Sequence, residues 1–98
     1  MFGSIYKMKP LPGQEPNIAA HFRLWERERR PVVSGAVGGY LFRPKSSGDE
    51  LIGVAVFDSE ESYLKNANDP KQDEWYRNLR RMLDGEPEWS DGDVLVAL

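Results

Sequence analysis

The sequence predicts an α+β domain, a four-stranded antiparallel sheet with two helices on one face. Three observations carry that reading. Short runs rich in aromatic and β-branched residues (FGSIYKMK, AVGGYLFR, LIGVAVF) alternate with longer stretches whose apolar residues recur at spacings of three and four. Clusters of Gly, Pro, Asn and Asp separate the two kinds of segment. Their order along the chain is β-α-β-β-α-β, the split β-α-β or ferredoxin-like pattern.

The first strand is expected over residues 2–9, where partial alternation stops at Pro10, Leu11, Pro12 and Gly13. Pro16 suits the first turn of a helix, and Ile18, His21, Phe22, Trp25 and Arg29 then form one stripe until Pro31 ends it. Residues 36–43 and 51–57 flank the polar stretch PKSSGDE, which contains Gly48, so they read as a hairpin. Asp58, Ser59, Glu60 and Glu61 open a second helix with acidic groups in its first turn. That helix is expected to break near Asn68, Asp69 and Pro70, with Asp69 as the cap of a new segment. In this segment Trp75, Leu79, Met82 and Leu83 share a face, and Tyr76, one residue from Trp75, sits at its margin. Gly85 and Pro87 stop the helix, Ser90 to Asp93 read as a turn, and residues 94–98 (VLVAL) read as the last strand.

Composition narrows the function. The chain has 98 residues with no repeat and no linker, so residues 1–98 read as one domain. A net charge of -3 gives no support to a nucleic-acid or anionic-membrane partner. No window approaches the ~18 apolar residues of a membrane span, and the start MFGSIYKMKP lacks the apolar run of a signal peptide. Cysteine is absent, which removes disulfides, thiolate nucleophiles and thiolate metal ligands and suits a cytoplasmic location. A lone histidine cannot build a His-rich metal site, and no His/Asp/Glu cluster has ligand spacing, so no metal is expected.

Residues 51–57 pose a covering problem. Leu51, Gly53, Ala55 and Phe57 fall on one side and Ile52, Val54 and Val56 on the other, so neither side is polar. The stretch 94–98 has the same all-apolar character, and two helices can cover only one face. A second copy of the chain, packed sheet against sheet, would cover the other, with Trp89 and residues 94–98 as further contacts.

The layout and the run FDSEESYLKNANDPKQDEWYRNLRRMLDGEPEWSDGD resemble the antibiotic-biosynthesis-monooxygenase-like members of the dimeric α/β-barrel superfamily. The most specific parts are Phe57 leading into Ser59, Glu60, Glu61 and Tyr63, and the segment from Asn66 to Trp75. The resemblance implies a homodimer joined through sheet faces. It also implies a choice among cofactor-free oxygenases of phenolic or quinol-type aromatics, haem-degrading enzymes, isomerases and proteins of no assigned role. The haem-degrading branch resembles a site with an Asn on the first strand, a Trp on the second helix and a ligating His late in that helix. Here Ser4 or Tyr6 stands where the Asn would be, Trp75 matches the Trp, and the only histidine, His21, lies on the first helix. No cofactor is therefore expected.

Under the oxygenase reading, a deprotonated polyphenol passes an electron to oxygen inside an apolar pocket that holds its anion. His21 and Asn66 are the expected catalytic residues, and Tyr6, Trp25, Tyr40, Phe42, Tyr63 and Trp75 the expected pocket for a small aromatic ligand. The alternative is a non-catalytic dimeric module that binds a small ligand or serves as an accessory protein. An open cavity with His21 or Asn66 facing it favours the enzyme; a space filled by Trp25 and Trp75 favours the module.

Overall fold

Strand β1 (Phe2–Met8) is the axis of the molecule, paired antiparallel on both edges, with β3 (Leu51–Phe57) on one side and β4 (Glu88–Asp93) on the other. Strand β2 (Ala36–Phe42) lies beyond β3, which gives the sheet order β2-β3-β1-β4. The computed structural model describes residues 1–46 and 48–98; Ser47, within the predicted connection 44–50, lies outside the described residues. Among the described residues three α-helices, α1 (Glu15–Leu24), α2 (Glu60–Ala67) and α3 (Pro70–Arg80), complete the order β-α-β-β-α-α-β of a ferredoxin-like α+β fold.

Alternation along β1 sorts the two faces. Phe2, Ser4, Tyr6 and Met8 are buried toward the helices, while Ile5 and Lys7 are exposed on the other side. Across β3 the register sets Phe57, Ala55, Gly53 and Leu51 opposite the inward positions. Tyr6, Met8, Leu51, Ile18 of α1, Leu79 of α3 and Leu83 form the buried core cluster. The opposite face carries Ile5, Tyr40, Phe42, Ile52, Val54 and Val56, of which Ile5, Tyr40 and Phe42 are exposed.

The expected break of the second helix is present and has its expected cause. Ser59 caps α2 by accepting from the Ser62 amide, and Asp69 caps α3 by accepting from the Lys71 amide at 2.9 Å, with Pro70 at the first helical position. The first helix departs from a plain helix running to Pro31. After Leu24 it widens into a π-helical turn, Trp25–Arg29, and tightens into a 3-10 turn, Arg30–Val32.

The last strand differs from the sequence expectation. Residues 94–98 lie outside the sheet, and the strand is the polar segment Glu88–Asp93. The register explains it. Phe2 of β1 pairs with Asp93, and the Val94 amide donates to the Met1 carbonyl at 2.9 Å, so residues beyond Val94 have no length of β1 left to pair with. An edge strand also has no need of apolar residues, and polar edges discourage unwanted pairing. Leu95 and Val96 are left 92% and 70% exposed.

Gly53 makes the sheet centre possible. Tyr6 sits directly opposite it, and a Cβ built on Gly53 would overlap the Tyr6 ring. Gly53→Ala should therefore displace that ring and destabilise the protein by about 1–3 kcal/mol, the usual cost of overpacking a core. Urea denaturation checks this, and Gly48→Ala, where the Cβ would meet nothing but the backbone has a positive φ of 68°, gives a comparison free of the overlap.

Candidate functional site

Small residues hollow out the helix-facing side of the sheet. On β2 and β3 the inward positions include Gly39, Gly53 and Ala55, and at Gly39 even a methyl group would collide with the Val54 carbonyl. Large aromatics on the helices stand over this floor: Phe22 of α1, Trp25 of the π turn and Trp75 of α3. Small floor and tall walls border a half-open cavity of about 830 Å³, within the range of ordinary small-molecule sites. Tyr6 and Ser4 close it from β1, Tyr63, Asn66, Gln72 and Tyr76 from α2 and α3, and Trp89 from β4.

Aromatic contacts brace these walls. Trp75 meets Phe22 edge to face at 5.1 Å, and Tyr6 lies 4.9 Å from Trp89 and 6.4 Å from Phe22. Tyr63 packs against both Phe2 and Phe57 at one end.

Four polar groupings are set into this apolar frame. Buried Ser4 donates to Asp91 of β4 at 2.6 Å, and the Tyr63 hydroxyl reaches the same carboxylate oxygen at 3.3 Å. Burial raises the Tyr63 phenol above its ordinary range, and Asp91 adds to the effect. Burial holds Tyr6 higher still, so its hydroxyl stays protonated. From the π turn, Arg29 donates through one guanidinium nitrogen to Asn66 Oδ1 at 3.0 Å and to Asp69 at 3.5 Å. The Trp25 indole donates to Gln72 Oε1 at 2.7 Å. At the margin, the Tyr76 hydroxyl donates to Glu86 at 2.6 Å while Arg80 pairs with the same carboxylate.

Tyr6, Trp25, Tyr63, Asn66 and Trp75 come together around the cavity. Tyr40 borders it by its place on β2, but its ring belongs to the opposite sheet face and is 76% exposed. Phe42 shares that opposite face and does not line the cavity. His21 does not line it either. Its ring stacks on Trp75 at 4.6 Å, its Nε2 donates to the Trp75 carbonyl at 2.8 Å, and the Trp75 indole donates back to the His21 carbonyl at 3.1 Å. The helical stripe shared with Ile18 and Phe22 carries it to the brace behind Trp75. Trp75 is a half-buried wall and Tyr76 is its neighbour on the same cavity. Trp89, expected as a contact across an interface, meets Tyr6 and Tyr76 within the chain while about half of it stays exposed.

Sequence reasoning passed over Gln72, Asp91 and the role of Arg29. Gln72 stands three residues before Trp75 and four before Tyr76, a spacing that puts all three on neighbouring rows of α3. Arg29 closes the Trp25 stripe. Asp91 gave no signal, because its segment read as a turn.

Comparison with solved structures places this architecture. A candidate antibiotic biosynthesis monooxygenase from Chloroflexus aurantiacus superposes with a TM-score of 0.78 at 20% identity, covering 99% of this chain and 95% of that one. Another from Caulobacter crescentus reaches a TM-score of 0.84 at 13% identity over 97% and 90% of the two chains. A variant of SnoaB, a cofactor-independent oxygenase from Streptomyces nogalater, gives 0.78 at 13% identity over 99% and 95%. This chain has their fold. No family model and no curated protein matches it in sequence. Among the described residues no helix is long and apolar enough to cross a membrane.

The polar groupings predict a pH profile of stability. Asp69 is held below the usual carboxylate range, chiefly by the Lys71 amide and then by Arg29, and Glu86 by Tyr76 and then Arg80. Their contributions are complete above the unfolded carboxylate pKa and are lost as pH falls through the lower folded values. Tyr76 is pushed up to about 12, first by burial and then by Glu86, so its contribution is complete below about 10 and lost as pH rises toward 12. Urea midpoints measured across pH should fall on both limbs. Tyr76→Phe should flatten the alkaline limb, and Asp69→Asn the acid one.

Proposed function

We propose that the protein is a cofactor-independent oxygenase of a small electron-rich phenol, of the quinol or polyphenol class, acting as a homodimer of the antibiotic-biosynthesis-monooxygenase-like family. The observation that carries the reading is the open cavity: Trp25 and Trp75 wall it rather than fill it, and Asn66 faces it. The fold shared with SnoaB supports the same reaction class. In this chemistry a bound phenolate passes one electron to dioxygen, the radical pair joins as a peroxide anion on a ring carbon that bears hydrogen, and the proton the phenol released returns to make it a hydroperoxide. Loss of water leaves a carbonyl, so one oxygen atom enters the product and one leaves as water. The protein supplies an apolar space for the ring and, in Asn66, a hydrogen bond for the phenolate oxygen.

An oxygen electrode with a panel of hydroquinones and polyphenols tests the reaction. Uptake above the buffer rate should appear without added flavin, haem or metal, and Asn66→Ala should lower it by about 10²-fold, the scale of one lost oxyanion donor. His21→Gln should lose far less than the ~10²–10⁴-fold expected of a general base. Absence of uptake with correctly folded protein would leave a binding module as the function.

The dimer rests on the uncovered face of the sheet. Ile5, Tyr40 and Phe42 are exposed there beside Ile52, Val54 and Val56, and residues 94–98 add more apolar surface at the sheet's edge. Two such faces packed about a two-fold axis would bury well over ~1,000 Å² in total. Size exclusion with light scattering should give about twice the 11.2 kDa of one chain. Val54→Asp should abolish the dimer, because its carboxylate would be desolvated without a partner.

A further inference from the structure

Asn66 and Gln72 are the two side-chain amides on the cavity wall, and each is held by a group that can only donate. A guanidinium has no acceptor, nor has an indole N–H. The contact from Arg29 to Asn66 therefore fixes the amide oxygen on the Arg29 side, and the contact from Trp25 to Gln72 fixes that oxygen on the indole side. In both amides the NH2 group is the one left for the cavity. Arg29 is committed to this arrangement: its side chain is only 12% exposed, and its Nε is buried with no hydrogen-bond partner among the described residues.

Both anchors come from the π turn. Trp25 and Arg29, four residues apart, are its first and last residues, and the widened turn sends one to α3 and the other to the end of α2. Such turns are frequent at functional sites. Asp69 takes part of the Arg29 charge at 3.5 Å but is half-exposed, whereas the guanidinium lies behind Asn66. A cation behind one amide polarises it further toward a negative oxygen.

We propose that Asn66 Nδ2 and Gln72 Nε2 form a two-donor seat for an anionic oxygen of the ligand, with Arg29 and Trp25 as positioning residues that fix the polarity of the two amides. This deepens the oxygenase reading by naming the atoms that would hold the phenolate, but it concerns binding and is testable without turnover.

The test compares two probes of nearly equal shape, dinitrophenolate and its methyl ether dinitroanisole, by tryptophan fluorescence titration of the full chain. The wild type should bind the phenolate at least about tenfold more tightly than the ether, the scale of hydrogen bonds to a charged group. Trp25→Phe keeps the ring and removes the N–H; Arg29→Met removes the cation and donor. Each should weaken phenolate binding about tenfold more than it weakens ether binding. Asn66→Asp should remove the preference altogether. Where Arg29→Met fails to fold, the wild type decides: the side-chain amide protons of Asn66 and Gln72 should shift in NMR spectra on adding phenolate and not on adding ether. Equal loss of both probes in Trp25→Phe, no phenolate preference in the wild type, no binding of either probe, or unshifted amide protons would overturn the seat. A clear preference without oxygen uptake on any quinol would retain the seat and remove the oxygenase.

Discussion

The Tyr6 ring resting over Gly53 at the centre of the sheet is the contact on which the remaining packing depends. Gly53 has no side chain to compete for that space. The ring can therefore lie flat enough to meet Phe22 of α1 above it and Trp89 of β4 beside it. Through Phe22 the contact reaches Trp75, and through Trp89 it reaches Tyr76. The two aromatics adjacent on α3 are thus reached from Tyr6 by different routes, one through the first helix and one through the edge strand. Adjacent helix positions point about 100° apart, and the fold answers by giving each ring its own partner.

The cavity follows from the same choice of small residues. Well-packed interiors leave few voids larger than a water molecule. A space of about 830 Å³ therefore needs a structural cause. It lies in the inward positions of β2 and β3, where Gly39 and Ala55 carry little or no side chain, while Leu51 and Met8 at the other end of the sheet fill a solid core with Ile18, Leu79 and Leu83. One half of the layer is packed solid and the other half is left open. Backbone and indole hydrogen bonds among His21, Trp75, Trp25 and Gln72 tie the open half together, where hydrophobic contact alone would let the walls collapse inward.

The sequence made the elements legible wherever one periodicity ruled a whole segment. β3 appears with the bounds read from LIGVAVF, and the break before α3 appears because Asp69 and Pro70 each have a local reason to be there. Two features escaped because their causes are non-local. The polar strand Glu88–Asp93 is selected by the length of β1 and by the need of buried Ser4 for Asp91, neither of which is visible inside the segment itself. The apolar run 94–98 looks more like a strand by composition but has no edge of β1 to join. Of the expected site, Tyr6, Trp25, Tyr63, Asn66 and Trp75 converge, since helical and strand spacing already put them on inward faces. His21 lies next to Phe22 in sequence, yet the roughly 100° between adjacent helix positions is enough to put it behind Trp75 instead of beside it. Chemistry suggested a base, but spacing cannot resolve which side of a neighbouring ring a residue will take.

Strand β3 joins the two uses of the sheet. Ala55 forms cavity floor on the helix side, and its neighbours Val54 and Val56 point to the uncovered side, so the same three residues border the cavity and the open face. A chain whose open face were covered would have a floor fixed from both sides, and an uncovered one would have that floor supported only by its edges. The polar groups that give the cavity its character, Asn66, Gln72 and their anchors Arg29 and Trp25, lie instead on the helical layer, away from the strands. Shape is thus set by the sheet and polarity by the helices. Changes at the uncovered face should alter how much room a ligand has before they alter which atoms greet it.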